Sequence, residues 1–416
     1  MSEKKLSVES YKGTRDFYPE DMAIQKYIFD TMRREVERFG YVEYGASIIE
    51  ETDLYRAKSG SEIIDEQTYT FEDLGGRDVT IRPEMTPTVA RMIAKKRKEL
   101  SFPLRWYAIP NLFRYERPQR GRLREHWQLN VDLFGVESVS ADAEIVAVAA
   151  SIMQNFGATR DDFVVRINNR RLSNYFLRDY LGANEETAYD LSKLIDRKAK
   201  MDETDFVLEA ERLLGENSGK FRDFLSSDNI SRLSDEFQAL PAVQELQETI
   251  QSLFQQGITN VQYDPTIMRG FDYYTGIVFE IFDTSEENNR ALFGGGRYDD
   301  LVGMFGVESV TGVGFGMGDV TIRDFLETHT LLSDQMVSSV NLYLCILEKK
   351  YESYAQKLAH ALREEGIAVE VDITGRKVVS QIKSADKKGI RFIVCIGENE
   401  VQKEEFTLKN LETHEE

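Results

Sequence analysis

Only two cysteines occur in 416 residues, Cys345 and Cys395. Each lies in an apolar run of strand character, VNLYLCIL and FIVCIG. Their spacing makes no metal-ligand pattern, and a buried thiol behaves as a small hydrophobe. Both are expected in the core of a cytoplasmic protein. Long apolar runs are missing as well. No stretch approaches the roughly 20 residues that a membrane-spanning helix needs. The opening MSEKKLSVESYKGTRDF carries no apolar segment of the kind found in signal peptides, so no membrane association is expected. Internal repeats and low-complexity tracts are absent too.

Basic charge is scarce: 52 Lys and Arg stand against 72 Asp and Glu, a net charge of -20. That balance excludes a general nucleic-acid binder, which carries a basic domain. The average hides one seam. Between Arg91 and His126 run Arg91, Lys95, Lys96, Arg97, Lys98, Arg105, Arg114, Arg117, Arg120, Arg122 and Arg124, opposed only by Glu99, Glu116 and Glu125. An acidic protein with one basic seam suits a phosphate-rich ligand bound locally, although a solvated helix face would account equally for Lys95 to Lys98.

A chain of this length exceeds a single compact core and predicts two or three domains. Residues 21–39 have apolar positions at helical spacing and stop at Gly40. YVEYGASIIEE and QTYTFEDLGGRDVTIRPE read as strands, the second folded back at Gly75-Gly76. A helix is expected from Pro87, then two strands, RWYAIPNLFRYE and HWQLNVDLFG, flanking the arginine-rich loop. ADAEIVAVAASIMQNF reads as an amphipathic helix and DFVVRINN as a strand. Residues 171–256 are acidic and helical in period. Strand character returns at YTGIVFEIF, among glycine-dense turns at GFDYYTG, GGGRYDD and GVGFGMGD. Beyond residue 338, strand and helix alternate as in a small α/β domain.

Arginine grips phosphate with a planar two-donor fork, so Arg114 with Arg120, Arg122 and Arg124 could surround a triphosphate. Glu116, two residues from Arg114, is expected on the same strand face, where a carboxylate could accept from an adenine amino group. A surface hairpin laced with salt bridges would have the same composition. The glycines at 294–296 and at 312, 314, 316 and 318 lack the strand–turn–helix setting of a dinucleotide fingerprint. Close backbone approach to a ligand is the better reading.

The order of residues separates these alternatives. FRYERPQRGRLREHWQLNVDLFG closely resembles the second signature motif of class II aminoacyl-tRNA synthetases, specifically of the histidyl-tRNA synthetase family. YKGTRDFYPEDM resembles that family's N-terminal signature and TIRPEMTPTVAR its amino-acid-binding segment. RGFDYYTGIVFE and GGGRYDDLV resemble its two histidine-specific motifs, and the C-terminal unit its anticodon-binding domain. The resemblance spans nearly the whole chain. It implies an α+β fold, with the antiparallel-sheet catalytic core of class II synthetases over 1–170 and 257–332. A helical insertion over 171–256 and an α/β anticodon-binding domain over 338–416 complete it.

The implied reaction is activation of L-histidine by ATP, with Mg2+ bridging the phosphates, then transfer to the 3′ end of tRNA(His). By the family pattern Arg114 holds the α-phosphate, Glu116 the adenine, and Arg122 and Arg124 the outer phosphates. Gly316 and Gly318 pass close to the nucleotide. Arg269 approaches the α-phosphate and the histidine carboxylate from the other side, making Arg114 and Arg269 the catalytic pair. Glu84, Thr86 and Gln128 are matched to the α-ammonium. Asp132 and Tyr274 are matched to the imidazole and Tyr298 to the pocket's closure. Tyr273 is also a candidate, but in a strand adjacent tyrosines face opposite ways, so one of the pair is expected to line the pocket. Arg117 and Gln119 are implied to touch the tRNA acceptor end, with Arg197, Lys198 and Lys200 as the insertion's basic residues. No metal ligands are identified. A homodimer is implied as well.

One position departs from the pattern. Class II enzymes usually carry an arginine over ATP in their third motif, where this chain has GVGFGMGDVTIRDFL, with Val320 in place of Glu and Thr321 in place of Arg. Arg323 is the nearest substitute. The loss would suit the family's non-catalytic relative, the ATP phosphoribosyltransferase regulatory subunit. Intact Arg269, the arginine-rich second motif and the C-terminal domain speak against that reading. A non-catalytic tRNA-sensing module is the third possibility, but the chain carries no additional effector region.

Overall fold

The computed structural model describes residues 6–56, 67–198, 201–268, 273–288, 290–332 and 338–416. They form two compact units, one of Met1–Phe17 with Gln25–Leu331 and one of Tyr18–Ile24 with Leu332–Glu416.

The first unit is built on a large mixed sheet. Its strands are β1 (Val42–Glu43), β5 (Leu104–Ala108), β6 (Asn111–Phe113), β7 (Glu125–Phe134), β8 (Phe163–Asn169), β9 (Val261–Tyr263), β10 (Ile277–Asp283), β11 (Ala291–Arg297) and β12 (Gly312–Gly318). The spatial order is β1-β5-β7-β12-β11-β10-β8-β9, with β6 pairing β7. The pairs β1/β5 and β8/β9 at the two edges are parallel, while the central pairs are antiparallel. A separate three-stranded sheet holds β2 (Ile49–Glu51), β4 (Asp78–Ile81) and β3 (Tyr69–Glu72), in that order.

Helices cover one sheet face. Val139–Asn155, read from sequence as amphipathic, is buried nearly all round, from Ala141 to Met153. It packs on β7 and β12 on one side and on the helix Pro241–Gln255 on another, so few of its positions meet water. The described residues of 171–256 are mostly helical and lie within the first unit. It has an aromatic core in which Phe176 stacks on Phe224 with ring centroids 3.7 Å apart and also meets Phe221 and Phe237.

Two glycine-dense segments expected as turns, GGGRYDD and GVGFGMGD, are instead largely strands β11 and β12 at the centre of the sheet. Paired residues on neighbouring strands share a face. Gly312, Gly314, Gly316 and Gly318 of β12 therefore line up beside Gln128, Asn130, Asp132 and Phe134 of β7, and beside Gly294 and Gly296 of β11. The opposite face of β12 carries Val313, Phe315 and Met317, all buried. One side is packed; the other is a trough floored by backbone.

The second unit contains a four-stranded sheet in the order β14 (Val369–Val371), β13 (Leu342–Ile346), β15 (Phe392–Ile396) and β16 (Leu408–Asn410). The first three run parallel, connected through the helices Glu352–Glu364 and Val378–Lys387, as the α/β alternation predicts. The edge strand β16 is antiparallel, and its short LKN sequence gives no strand signal. Cys345 and Cys395 are register partners on β13 and β15. Both are free, Cys345 buried and Cys395 partly so.

Candidate active site

The arginine-rich segment is the expected strand–loop–strand, but β6 ends at Phe113. Arg114 and Glu116 thus lie in an extended loop and do not share a strand face. What fixes Arg114 is the amino-acid-binding segment: its Nε donates to the Pro83 carbonyl at 2.9 Å, and Phe113 N donates to Arg82 O at 3.1 Å. Glu84, 4% exposed, is thereby held beside Arg114, just before the helix Thr86–Lys96 that Thr86 opens. Arg82 secures this corner from below, donating to the carbonyls of Ala46, Ser47 and Asn111. Sequence reading assigned Arg82 nothing, because its partners are distant backbone oxygens.

The loop turns tightly at Gln119-Arg120-Gly121-Arg122, where Gln119 and Arg122 exchange backbone hydrogen bonds and Gly121 takes a φ of 75°. Arg122 Nη1 donates to Glu116 Oε2 at 3.1 Å. Arg114, Glu116, Gln119, Arg122, Gln128, Gly316 and Gly318 all line one cavity of about 1230 Å³. Lys198 of the helical stretch reaches its wall, as do Arg120 and Arg290. His126, at the start of β7, also lines it. Burial, with Arg114 and Arg15 nearby, pushes its imidazole down to about 3, so it is neutral at physiological pH.

Arg124 does not join this group. Its guanidinium lies 3.9 Å from the Tyr115 ring centroid, Nη1 donates to Tyr11 Oη at 3.1 Å, and Nε donates to Glu116 O at 3.2 Å. Gly13 lies against it, because a Cβ there would come within 2.7 Å of Arg124 Cγ. Arg124 therefore fastens the N-terminal signature to the loop rather than gripping phosphate. Asp319 performs a matching task. Its carboxylate accepts from Arg15, from Gln25 and from the backbone N of Trp127.

At the other end of the trough, Asp132 and Tyr298 are 4% and 3% exposed, and the Tyr298 hydroxyl donates to Asp132 Oδ1. Burial, opposed by this hydrogen bond, raises the Asp132 carboxyl to about 7. The Tyr298 ring crosses the trough where a Cβ on Gly312 would meet it at 2.7 Å. Tyr273 and Tyr274 precede β10 and are not in a strand, so alternation does not govern them. Both are buried in the same apolar cluster as Tyr298, with ring centroids 4.8 Å apart, and Tyr274 lies over Gly296. Both rings are packed at this end of the trough.

Gln128 lies between the two ends, its side chain over Gly316. Arg117 is exposed and outside the cavity lining. Thr321 lines the cavity, but its hydroxyl is spent on Leu292 O at 2.7 Å and Gly318 O at 3.1 Å. Arg323 pairs with Glu327 at 2.9 Å and is not in the lining. Arg269 and Lys200 lie outside the described residues, while Arg197 ends the helix Glu185–Arg197. The floor is thus glycine backbone, with a buried carboxylate and tyrosines at one end and arginines with a neutral histidine at the other.

A family profile described as histidyl-tRNA synthetase matches residues 13–319, and one described as anticodon binding domain matches residues 341–416. Among curated relatives, a histidine–tRNA ligase of Leptospira biflexa serovar Patoc is 45% identical over 99% of this chain and 95% of its own length. One from Thermoplasma volcanium is 37% identical over 99% of this chain and 96% of its own. Among solved structures, the histidyl-tRNA synthetase of Nostoc sp. PCC 7120 superposes with a TM-score of 0.84 at 26% identity, covering 99% of this chain and 96% of that one. A Bacillus halodurans protein described as an ATP phosphoribosyltransferase regulatory subunit/histidyl-tRNA synthetase gives 0.76 at 26%, covering 95% and 100%.

Proposed function

The chain belongs to the histidyl-tRNA synthetase family, and on that premise we propose that its trough seats histidine at the Asp132 end and ATP at the Arg114–Arg122 end. The reaction is activation of L-histidine by ATP to histidyl-adenylate, followed by transfer to the 3′ end of tRNA(His). The observation that carries the site assignment is the glycine face of β12 running from a buried carboxylate to an arginine-rich loop.

The nucleophile is a carboxylate, already anionic, so the step needs alignment and charge stabilisation and no general base. Arg114, positioned by the Pro83 carbonyl, meets the α-phosphate. Arg269 serves the same phosphate and the histidine carboxylate by the family pattern. Glu116 accepts from the adenine amino group and Arg122 takes the outer phosphates, so nucleotide entry exchanges the Glu116–Arg122 pair for these contacts. Gly316 and Gly318 let the nucleotide lie on backbone. The cavity exceeds the roughly 300–1,000 Å³ of ordinary small-molecule pockets, which leaves ample room for a nucleotide at the arginine end; Asp132 and the three tyrosines are not in its lining. Glu84, Thr86 and Gln128 receive the α-ammonium. Asp132, Tyr274, Tyr273 and Tyr298 enclose the imidazole.

Mg2+ would accompany ATP and screen its phosphates. Among the described residues no group of three or more His, Cys, Asp or Glu is gathered. Arg117 and Gln119 meet the acceptor end of tRNA, and Lys198 on the cavity wall is the insertion's best-placed cation. The unit from Leu332 to Glu416 binds the anticodon. Exposed Val42, Ile48, Ile49, Met304 and Phe305 suit a homodimer contact. No helix among the described residues is long and apolar enough to cross a membrane, and we place the protein in the cytoplasm.

Histidine-dependent ATP–pyrophosphate exchange tests the reading. Exchange stimulated by histidine alone among the amino acids is expected. Background exchange with histidine would overturn it and favour a regulatory-subunit role.

A further inference from the structure

We propose that Cys395 and Cys345 form an oxidisable dithiol, a modification site that peroxide converts into a reversible disulfide between β15 and β13. The inference concerns the second unit and does not depend on the assignments made in the first.

Cys345 and Cys395 are register partners on the parallel strands β13 and β15. Paired residues on neighbouring strands share a face, and adjacent strands lie roughly 4.7–4.9 Å apart. A disulfide spans Cα separations of about 4.4–6.8 Å, so the pair can be bridged with the strands still paired. Both thiols belong to one apolar cluster with Tyr343, Ala385, Ile390 and Ile393, on the sheet face that the helix Val378–Lys387 covers. They are the only cysteines in the chain, so each has a single thiol to meet within it.

The two positions differ in access. Cys345 lies on an inner strand, between β14 and β15, and is fully buried. Cys395 is partly exposed. Its strand carries β16 on the outer side, but that pairing stops at Val394 opposite Leu408, one residue short of Cys395. A small oxidant therefore reaches the Cys395 sulfur before that of Cys345. Electrostatics agrees with this order. A hydrogen bond from the Cys345 thiol, helped by Lys409, holds Cys395 down to about 7 against burial and the charges of Glu400 and Glu416. The same contact, with burial, pushes the Cys345 thiol up. An accessible thiolate thus stands beside a buried thiol, which is the arrangement of a peroxide-reactive cysteine and its resolving partner.

The chemistry balances with hydrogen peroxide as the oxidant. The Cys395 thiolate attacks a peroxide oxygen and the O–O bond breaks. This leaves a sulfenic acid and a hydroxide, which takes up the proton that the thiol lost. The Cys345 sulfur then attacks the Cys395 sulfur. The S–S bond forms, the S–O bond breaks, and the departing hydroxide leaves as water with the Cys345 proton. Two thiols lose two electrons in all, and the peroxide becomes two molecules of water. A small thiol reverses the change by exchange. Disulfides of reducing compartments are usually of this transient, redox-sensing kind.

The test exposes the full-length protein to a few equivalents of hydrogen peroxide, denatures it, alkylates it with N-ethylmaleimide and maps the peptides by mass spectrometry. Both cysteines should be alkylated before exposure and neither after it, with the Cys345 and Cys395 peptides joined at a mass lower by two hydrogens. Dithiothreitol should restore both thiols. Brief alkylation of the folded protein should label Cys395 and spare Cys345. In Cys345→Ala, peroxide should leave Cys395 as a sulfenic acid that dimedone captures. Thiols that both stay alkylatable, Cys395 carried to sulfinic acid with Cys345 free, or a disulfide joining two chains would each overturn the proposal. Should Cys345→Ala fail to fold, the wild-type peptide map decides by itself.

Discussion

Tyr298 donates its phenolic hydrogen to Oδ1 of Asp132 across the glycine trough, joining the residue after β11 to β7 where neither side chain reaches bulk water. That burial makes Asp132 a poor anion in the free protein, with its carboxyl pushed up to about 7. The assignment to imidazole recognition supplies a reason: a substrate that arrives as imidazolium supplies the missing countercharge, and one that arrives neutral can meet the protonated acid.

The sign of the resulting pH effect follows. An aspartate in the unfolded chain titrates near 3.9, so between about pH 4 and 7 the folded protein binds more protons than the unfolded one. The stability penalty at Asp132 is therefore absent at low pH and grows as pH rises through that window. Asp132→Asn should melt above the wild type by a margin that widens from about pH 5 to about pH 8, measured calorimetrically without ligand. A margin that is constant or narrows would contradict the burial-driven shift.

Glycine placement makes a second, contrasting pair of expectations. A Cβ on Gly316 would first meet the side chain of Gln128, at 2.8 Å, which can move. A Cβ on Gly295 would strike the Gly314 carbonyl oxygen and lie 2.6 Å from the Phe315 Cα, which cannot. Gly316→Ala should keep the wild-type melting temperature and raise the KM for ATP, which the proposed site lays on that backbone, and for histidine through the displaced Gln128. Gly295→Ala should lower the melting temperature and the yield of folded protein. Equal melting temperatures for the two variants would refute this account.

These same residues show where sequence runs short. Strand β10 and most of β7 are legible because β-branched and aromatic residues dominate them. β11 and β12 are not, since glycine has poor strand propensity and locally suggests turns. They become strands through pairing on both sides, which is information held in β7 and β10. Arg120, Arg122 and Arg124 look interchangeable along the chain. Only the return of Tyr11 and Gly13 to the loop reveals that Arg124 is spoken for. Tyr273 and Tyr274 were separable only by assuming a strand that begins three residues later, at Ile277.

Arg297 of GGGRYDD illustrates a motif residue with a structural task. It is 5% exposed, its Nη2 lies 2.5 Å from Asp142 Oδ2, and Nη1 donates to Val136 O at 3.0 Å. Nη1 also pairs with the partly exposed Asp299 at 3.3 Å, so removing Asp142 takes away the guanidinium's buried partner and leaves it a weaker one, at a cost near the lower end of the roughly 3–5 kcal/mol for a broken buried pair. Asp142→Ala should therefore lose stability of that order in denaturant titration. The double change Asp142→Leu with Arg297→Met should recover much of it, because the one charge it leaves unpaired, Asp299, is partly exposed to water. A double variant as unstable as the single one would show that the ion pair is not the reason Arg297 is there.

The last prediction concerns the arginine missing at Thr321. Its hydroxyl is committed to Leu292 and Gly318, and Arg323 is paired with Glu327 outside the cavity lining. Arg290 does line the cavity, where its Nη2 donates to Gln119 Oε1 at 3.4 Å, a long bond that a phosphate or nucleobase could displace. The ordering of effects on the ATP KM should thus be Arg114→Ala largest, Arg290→Ala intermediate and Arg323→Ala least. Loss of one charge-assisted contact, at about 1.5–3 kcal/mol, sets the scale for Arg114 at roughly ten- to hundredfold. Pyrophosphate exchange at varied ATP and saturating histidine measures all three. If Arg323→Ala matched or exceeded Arg114→Ala, the helix Asp319–Thr328 would have to turn its arginine inward on nucleotide binding, and the cavity lining seen here would not be that of the working site.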